Sequence, residues 1–162
     1  FLACGVRLLQ LRLKDLSVYY RAELVQQLIE SSRQQQVAVL LNSDLAALTG
    51  TEADGVHLTS QALMSLSRIP EGSGWVGASC HTLEQLKHAE HLNLDFAVLA
   101  PIQSTTTHPD AQPLGWERVA GLLQHVNLPV YLMGGLRLDD LDKAKAVGGQ
   151  GLAGITTFLS RV

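Results

Sequence analysis

Apolar residues in this chain come in short runs, separated by longer stretches of helical period. Such runs, most of them continuous, stand at Leu8–Leu13, Val37–Leu41, Gly55–Leu58, Trp75–Ala78, Phe96–Ala100, Val130–Met133 and Leu152–Ile155. Runs this short and this uniformly apolar predict parallel strands covered on both faces. Between them, helices are predicted over Val18–Gln35 (capped by Ser17, with Leu24, Leu28 and Ile29 on one face), Asp44–Thr49, Gln61–Leu66, Leu114–Val126 and Arg137–Val147. Thr82-Leu83-Glu84-Gln85 has the spacing of a capping box and predicts a further helix ending near Leu92. Gly148-Gly149 stops the last helix.

Strand–helix alternation predicts an α/β fold with a parallel sheet, closed as a (β/α)8 barrel or left open as a doubly wound sheet. There is no G-x-G-x-x-G fingerprint, and Gly134-Gly135 directly follows the Val130 strand; both features favour the barrel. The expected architecture is therefore a single domain over residues 1–162, a TIM barrel lacking its first strand. Its unpaired edge would invite self-association.

Composition narrows the partners. With 162 residues, 46% hydrophobic and 17% charged, the chain is long enough for one buried core. A formal net charge of −3 argues against general nucleic-acid binding. No run reaches the length of a membrane span, and residues 1–9 lack the charged start of a signal peptide. The two cysteines, Cys4 and Cys80, are too few for a disulfide framework and sit in apolar surroundings. A cytoplasmic protein with a small phosphorylated ligand is expected.

In a barrel, chemistry collects at the carboxyl ends of the strands. The first strand places Gln10, Arg12 and Lys14 on one face by period two, a row that needs anionic partners, from neighbours or from a ligand. The second ends in Asn42-Ser43-Asp44, where Asp44 is either a helix cap or a metal ligand. His57 within the third strand reads as a satisfied core histidine. The fourth presents Ser79 and His81 on a common face. His88 and His91, at i and i+3, read as an outer helix face rather than a metal pair. After the fifth strand comes a run of hydroxyl residues, Ser104 to Thr107, followed by His108. Gly134-Gly135 and Ile155-Thr156-Thr157 follow the last two strands. Hydroxyls and backbone N–H groups are the donors an anion needs, so these three strand ends together suggest a phosphate site.

The stretches QLRLK (10–14), ADGVHL (53–58), GASCHTLEQLKHAE (77–90), LAPIQSTTTHPDAQPLG (99–115) and PVYLMGGL (129–136) resemble the thiamine phosphate synthase family, which includes the thiazole tautomerases. The resemblance spans nearly the whole chain, but the family's first strand and much of its first helix have no counterpart. It implies a (β/α)8 barrel that joins an aminopyrimidine diphosphate to a thiazole phosphate, with Mg²⁺ and basic side chains holding pyrophosphate. By position, Gln10, Arg12 and Lys14 resemble the row that meets pyrophosphate and pyrimidine, and Asn42 the asparagine that meets the pyrimidine. Ser79 resembles the anion-binding serine. Thr105 and Thr107 resemble the threonines around the thiazole phosphate, and Gly135, Ile155 and Thr156 the rest of that cradle. Arg12, Lys14 and His81 are the candidate catalytic residues.

The departures are specific. The family's two Mg²⁺ carboxylates fall here on Ser43 and Ala62, its basic residue after the threonine loop on His108, and its tautomerase histidine on Pro101. No metal ligand is assigned, and the cofactor is left open. Three readings follow: a synthase-like protein of thiamine metabolism with a degenerate Mg²⁺ site; a non-catalytic accessory or ligand-sensing barrel fused behind a Nudix-type nucleotide hydrolase; and a tautomerase in which His81 takes over the proton transfer. The macromolecular partner expected is a fused upstream domain or a second copy in a homo-oligomer.

Overall fold

The computed structural model describes residues 5–12, 18–105 and 111–158. Seven parallel strands form one sheet in sequential order: β1 Leu8–Leu11, β2 Ala38–Ser43, β3 Gly55–Leu58, β4 Trp75–Cys80, β5 Phe96–Leu99, β6 Val130–Leu132 and β7 Gly151–Leu152. Among the described residues five helices intervene: α1 Val18–Arg33, α2 Ser60–Ser65, α3 Leu83–His91, α4 Trp116–Leu123 and α5 Leu141–Ala146. The chain follows the βα rhythm expected, with the number of strands counted from the sequence.

Each strand splits its side chains between two buried layers. Val56, Leu58, Val76, Ala78, Cys80, Ala97, Leu99, Val130 and Leu132 pack outward against Leu63, Leu86, Ala89, Val119, Leu123 and Ala144 of the helices. Val39 and Leu41 do the same against Val25 and Ile29 of α1. The alternate residues face inward, where Leu40, Phe96 and Val98 meet Leu8, Tyr131, Met133 and Ala153. Contact between residues of β1–β2 and residues of β5–β6 requires a curled sheet, so the fold is an α/β half-barrel whose concave side is an interior. Period two in the sequence becomes inside and outside in the barrel.

Two aspartates seal the sheet where the strands begin. Asp54, just before β3, accepts the Val39 N–H of β2 at 2.7 Å. Asp95, just before β5, accepts the Val76 N–H of β4 at 2.7 Å. Each carboxylate completes the ladder of the preceding strand.

Several element boundaries differ from expectation. β1 is assigned only to Leu11, and Leu13 and Lys14 lie outside the described residues. β2 and β4 run on to Ser43 and Cys80, beyond the purely apolar runs, because ladder pairing continues through polar residues. β7 is shorter than expected and ends at Leu152, before a 3-10 turn at Thr156–Phe158. The segment after Asp44 is a 3-10 turn, Leu45–Leu48, and the Asp44 side chain makes no capping bond. α4 starts at Trp116, not Leu114, because Gly115 takes φ 74°. The stretch from Arg137 divides into a 3-10 turn, Leu138–Asp140, and α5. In α1 the buried residues among those described are Val25, Ile29 and Ser32; of the face expected, Ile29 is buried and Leu24 and Leu28 are half-buried.

Candidate functional site

All strands being parallel, their carboxyl ends share one rim. Gln10 lies on β1 and Arg12 just past it, both exposed. Asn42 is at the end of β2 and Ser79 near the end of β4, both half-buried, and exposed His81 follows β4. Gln10 pairs in register with Leu40, which faces the interior, and Asn42 pairs with interior His57. The alternation read from the sequence therefore puts Gln10, Asn42 and Ser79 on the concave side.

A chain of hydrogen bonds crosses that side. Asn42 Nδ2 donates to the His57 carbonyl at 3.2 Å. The His57 ring is 2% exposed and its Nε2 lies 3.0 Å from Ser79 Oγ. Desolvation lowers the His57 pKa to about 4, so the ring is neutral at physiological pH. Phe96 floors this region, its ring 5.8 Å from His57 and edge-on to Tyr131 at 5.7 Å.

His81 is held at two points. Its Nδ1 is 2.7 Å from the Ala100 carbonyl, which only accepts, so Nδ1 carries the proton and a neutral ring leaves Nε2 as a base. Its backbone N–H donates to Gln85 Oε1 at 2.7 Å, while Thr82 Oγ1 accepts from the Gln85 N–H at 3.2 Å. Only half of the expected capping box is formed: Thr82 caps the Gln85 N–H, but the glutamine side chain reaches past the Thr82 N–H, one residue further back, and fixes His81.

The turns after β5, β6 and β7 are stitched together. Ile102 N–H donates to the Met133 carbonyl at 3.0 Å and Gln103 N–H to the Gly134 carbonyl at 2.9 Å. A Cβ on Gly135 (φ 69°) would stand 2.4 Å from the Ser104 carbonyl oxygen, so this glycine is needed for one turn to lie on the other. Thr157 Oγ1 donates to the Leu136 carbonyl at 2.9 Å, tying the turn after β7 to the turn after β6. Half-buried Thr105 lies on the first of these turns. Ile155, 62% exposed, and the backbone of Thr156 lie on the last. Lys14, Thr107 and His108 lie outside the described residues, as does Cys4.

The donor set does not suit Mg²⁺. Ser43 ends β2, and Ala62 lies in the first turn of α2, its N–H bonded to Thr59 Oγ1 at 3.1 Å and its methyl packed on the core. A hydroxyl and a methyl stand where the resemblance puts two carboxylates, and a hard dication needs charged oxygens. Among the described residues, no group of three or more His, Cys, Asp or Glu could hold a metal ion. His88 instead bonds the Leu66 carbonyl through Nε2 at 3.0 Å.

Sequence reasoning left His57 and Gln85 out of the site. The signal for His57 was its place two residues beyond Gly55 on an inward register. The signal for Gln85 was the capping box itself.

The thiamine monophosphate synthase family model matches residues 1–158. The chain is 36% identical over 156 residues to the putative thiamine-phosphate synthase 2 of Aquifex aeolicus (strain VF5), covering 96% of this chain and 84% of that protein. It is 32% identical to the thiamine-phosphate synthase of Herpetosiphon aurantiacus, covering 98% and 78% respectively. The solved thiamine phosphate pyrophosphorylase of Pyrococcus furiosus has the same fold: TM-score 0.74 at 21% identity, over 92% of this chain and 72% of that one. The chain belongs to the thiamine-phosphate synthase family.

Proposed function

We propose that this member of the family recognises a phosphorylated thiazole or pyrimidine ligand at the strand-end rim, with its Mg²⁺-dependent synthase chemistry lost or severely impaired. The supporting observation is the stitching of the turns after β5, β6 and β7, which gathers Thr105, Gly135, Ile155 and Thr156 on adjacent backbone. Thr107 and His108, by their place in the sequence motif that holds Thr105, are read as further donors to the same phosphate. Ser79 donates to an anionic oxygen, Asn42 and Gln10 face the pyrimidine, Arg12 supplies positive charge at the rim, and Lys14 is read from the same sequence row as a second cation.

The test is calorimetry with thiamine phosphate and with thiazole phosphate, each with Mg²⁺ and with EDTA, beside a turnover assay with both synthase substrates. The expected result is binding that is indifferent to Mg²⁺, with turnover far below that of an ordinary synthase. Absence of binding at millimolar ligand overturns the recognition reading and leaves a structural role, including that of a module fused to a Nudix-type domain. A rate near that of an ordinary synthase overturns the degenerate-site reading.

One observation favours a second reading. The Ala100 carbonyl fixes the His81 tautomer so that Nε2 is available to move a proton. A tautomerase-type reaction would use it in place of a histidine at Pro101. Solvent-proton exchange into a thiazole carboxylate phosphate, lost in His81→Gln, is the expected result if this reading holds.

A further inference from the structure

The His57–Ser79 contact admits two opposite polarities. If Nε2 is bare, the serine donates to the ring and turns only lone pairs toward the rim, which would repel an anion. If Nε2 carries the proton, the ring donates to Oγ, and the hydroxyl is free to give its own proton elsewhere. The anion-donor role proposed for Ser79 selects between them. The contact with Ser79 is the ring's one recorded hydrogen bond among the described residues, and the ring is 2% exposed. A serine that gives its own proton to an anionic oxygen must accept from the ring, which places the ring proton on Nε2.

We infer that His57 is the positioning residue for Ser79: its Nε2–H donates to Ser79 Oγ and so sets the hydroxyl as an outward donor to an anionic ligand oxygen. The inference rests on the phosphate-recognition reading above and deepens it. It also separates this pair from a serine nucleophile with its base. A nitrogen already bearing the proton cannot take one from serine, and a ring this reluctant to become cationic is a poor base at neutral pH. His57 further braces the site through its backbone, since its carbonyl receives the Asn42 amide at 3.2 Å.

The experiment has two arms. In the first, long-range ¹H–¹⁵N correlation of the imidazole rings of the wild-type chain at pH 7 reports the tautomer without any ligand. A proton on His57 Nε2 is expected, and a proton on Nδ1 overturns the inference. In the second, inorganic pyrophosphate is titrated into the wild type, Ser79→Ala, His57→Leu, His57→Gln and the Ser79→Ala/His57→Leu double variant. Ser79→Ala and His57→Leu should each weaken binding roughly tenfold, the size of one hydrogen bond to a charged group. The double variant should be no weaker than either single one, and His57→Gln, which keeps an N–H donor, should stay within about threefold of wild type. Full affinity in His57→Leu beside a loss in Ser79→Ala overturns the inference and leaves the reading of the site standing. Full affinity in Ser79→Ala overturns both. If His57→Leu fails to fold, the tautomer arm and His57→Gln decide; a wild type that does not bind pyrophosphate overturns the inference.

Discussion

Phe96 occupies the space that a side chain on Gly77 would need: a Cβ built there would stand 2.3 Å from the Phe96 ring carbon Cζ. The two are register partners on β4 and β5, and the ring is held on its other sides by His57 and Tyr131. A rigid aromatic ring in such a setting cannot swing aside cheaply. Gly77→Ala should therefore destabilise the fold by about 1–3 kcal/mol, the usual cost of overpacking. Adding Phe96→Leu should recover part of that loss. Urea unfolding of the single and double variants measures both, and additive losses would sink the account.

The strand-start aspartates make a second prediction. Asp95→Ala leaves the Val76 N–H without its carboxylate and should cost roughly 1–3 kcal/mol. Asp95→Asn keeps a carbonyl oxygen in place and should cost less than half as much. Equal losses in the two variants would show that charge, not the hydrogen bond, matters there.

Acid sensitivity follows from His57. Its ordinary value of 6.5 is lowered to about 4 by burial. Above pH 6.5 both folded and unfolded chains carry the neutral ring. As pH falls below that, the unfolded chain takes up a proton the folded one refuses, so stability declines until about pH 4, where both are protonated. The total loss from this group is on the order of 3 kcal/mol. In urea titrations from pH 7.5 to 4, the wild type should lose that much more than His57→Gln, and parallel profiles would refute the assignment.

Cys80 should be chemically silent. It is fully buried between β4 and the helices, and desolvation pushes its pKa up to about 12. Iodoacetamide at pH 8 should leave Cys80 unmodified in the native chain and alkylate it in urea, as located by peptide mass. Rapid native labelling would mean that this layer opens readily.

How far the sequence carried these conclusions differs by level. The strands were legible because two buried layers leave largely apolar runs, and the inward placement of Gln10 and Ser79 because period two survives folding. Boundaries failed where backbone pairing outlasts apolarity, as at Ser43 and Cys80, or where a positive φ blocks a helix, as at Gly115. The His57–Ser79 contact was not legible, because it is diagonal. His57 pairs in register with Gly77, and Ser79 with Val98, so only the assembled sheet brings ring and hydroxyl together. The resemblance places Gly135 in a phosphate cradle, and its first constraint in the fold is the Ser104 carbonyl.

The last prediction concerns the missing carboxylates. Ser43 and Ala62 lie at the carboxyl ends of neighbouring strands β2 and β3, the latter just inside α2. If their chemistry is what excludes Mg²⁺, restoring charge should restore the ion. Ser43→Asp with Ala62→Asp would place two anionic oxygens beside Asp44, already exposed and uncommitted as a cap. In the wild type, Mg²⁺ should change pyrophosphate affinity by less than about twofold. In the double variant it should raise that affinity at least roughly tenfold, since the cation then bridges protein and ligand charges. Ala62 packs on the core, so the variant should also lose some thermal stability, which Mg²⁺ then partly returns by binding only the folded chain. A wild type already strongly Mg²⁺-dependent would mean that other residues carry the metal, and a double variant indifferent to Mg²⁺ would mean that the rim departs from a synthase by more than two side chains.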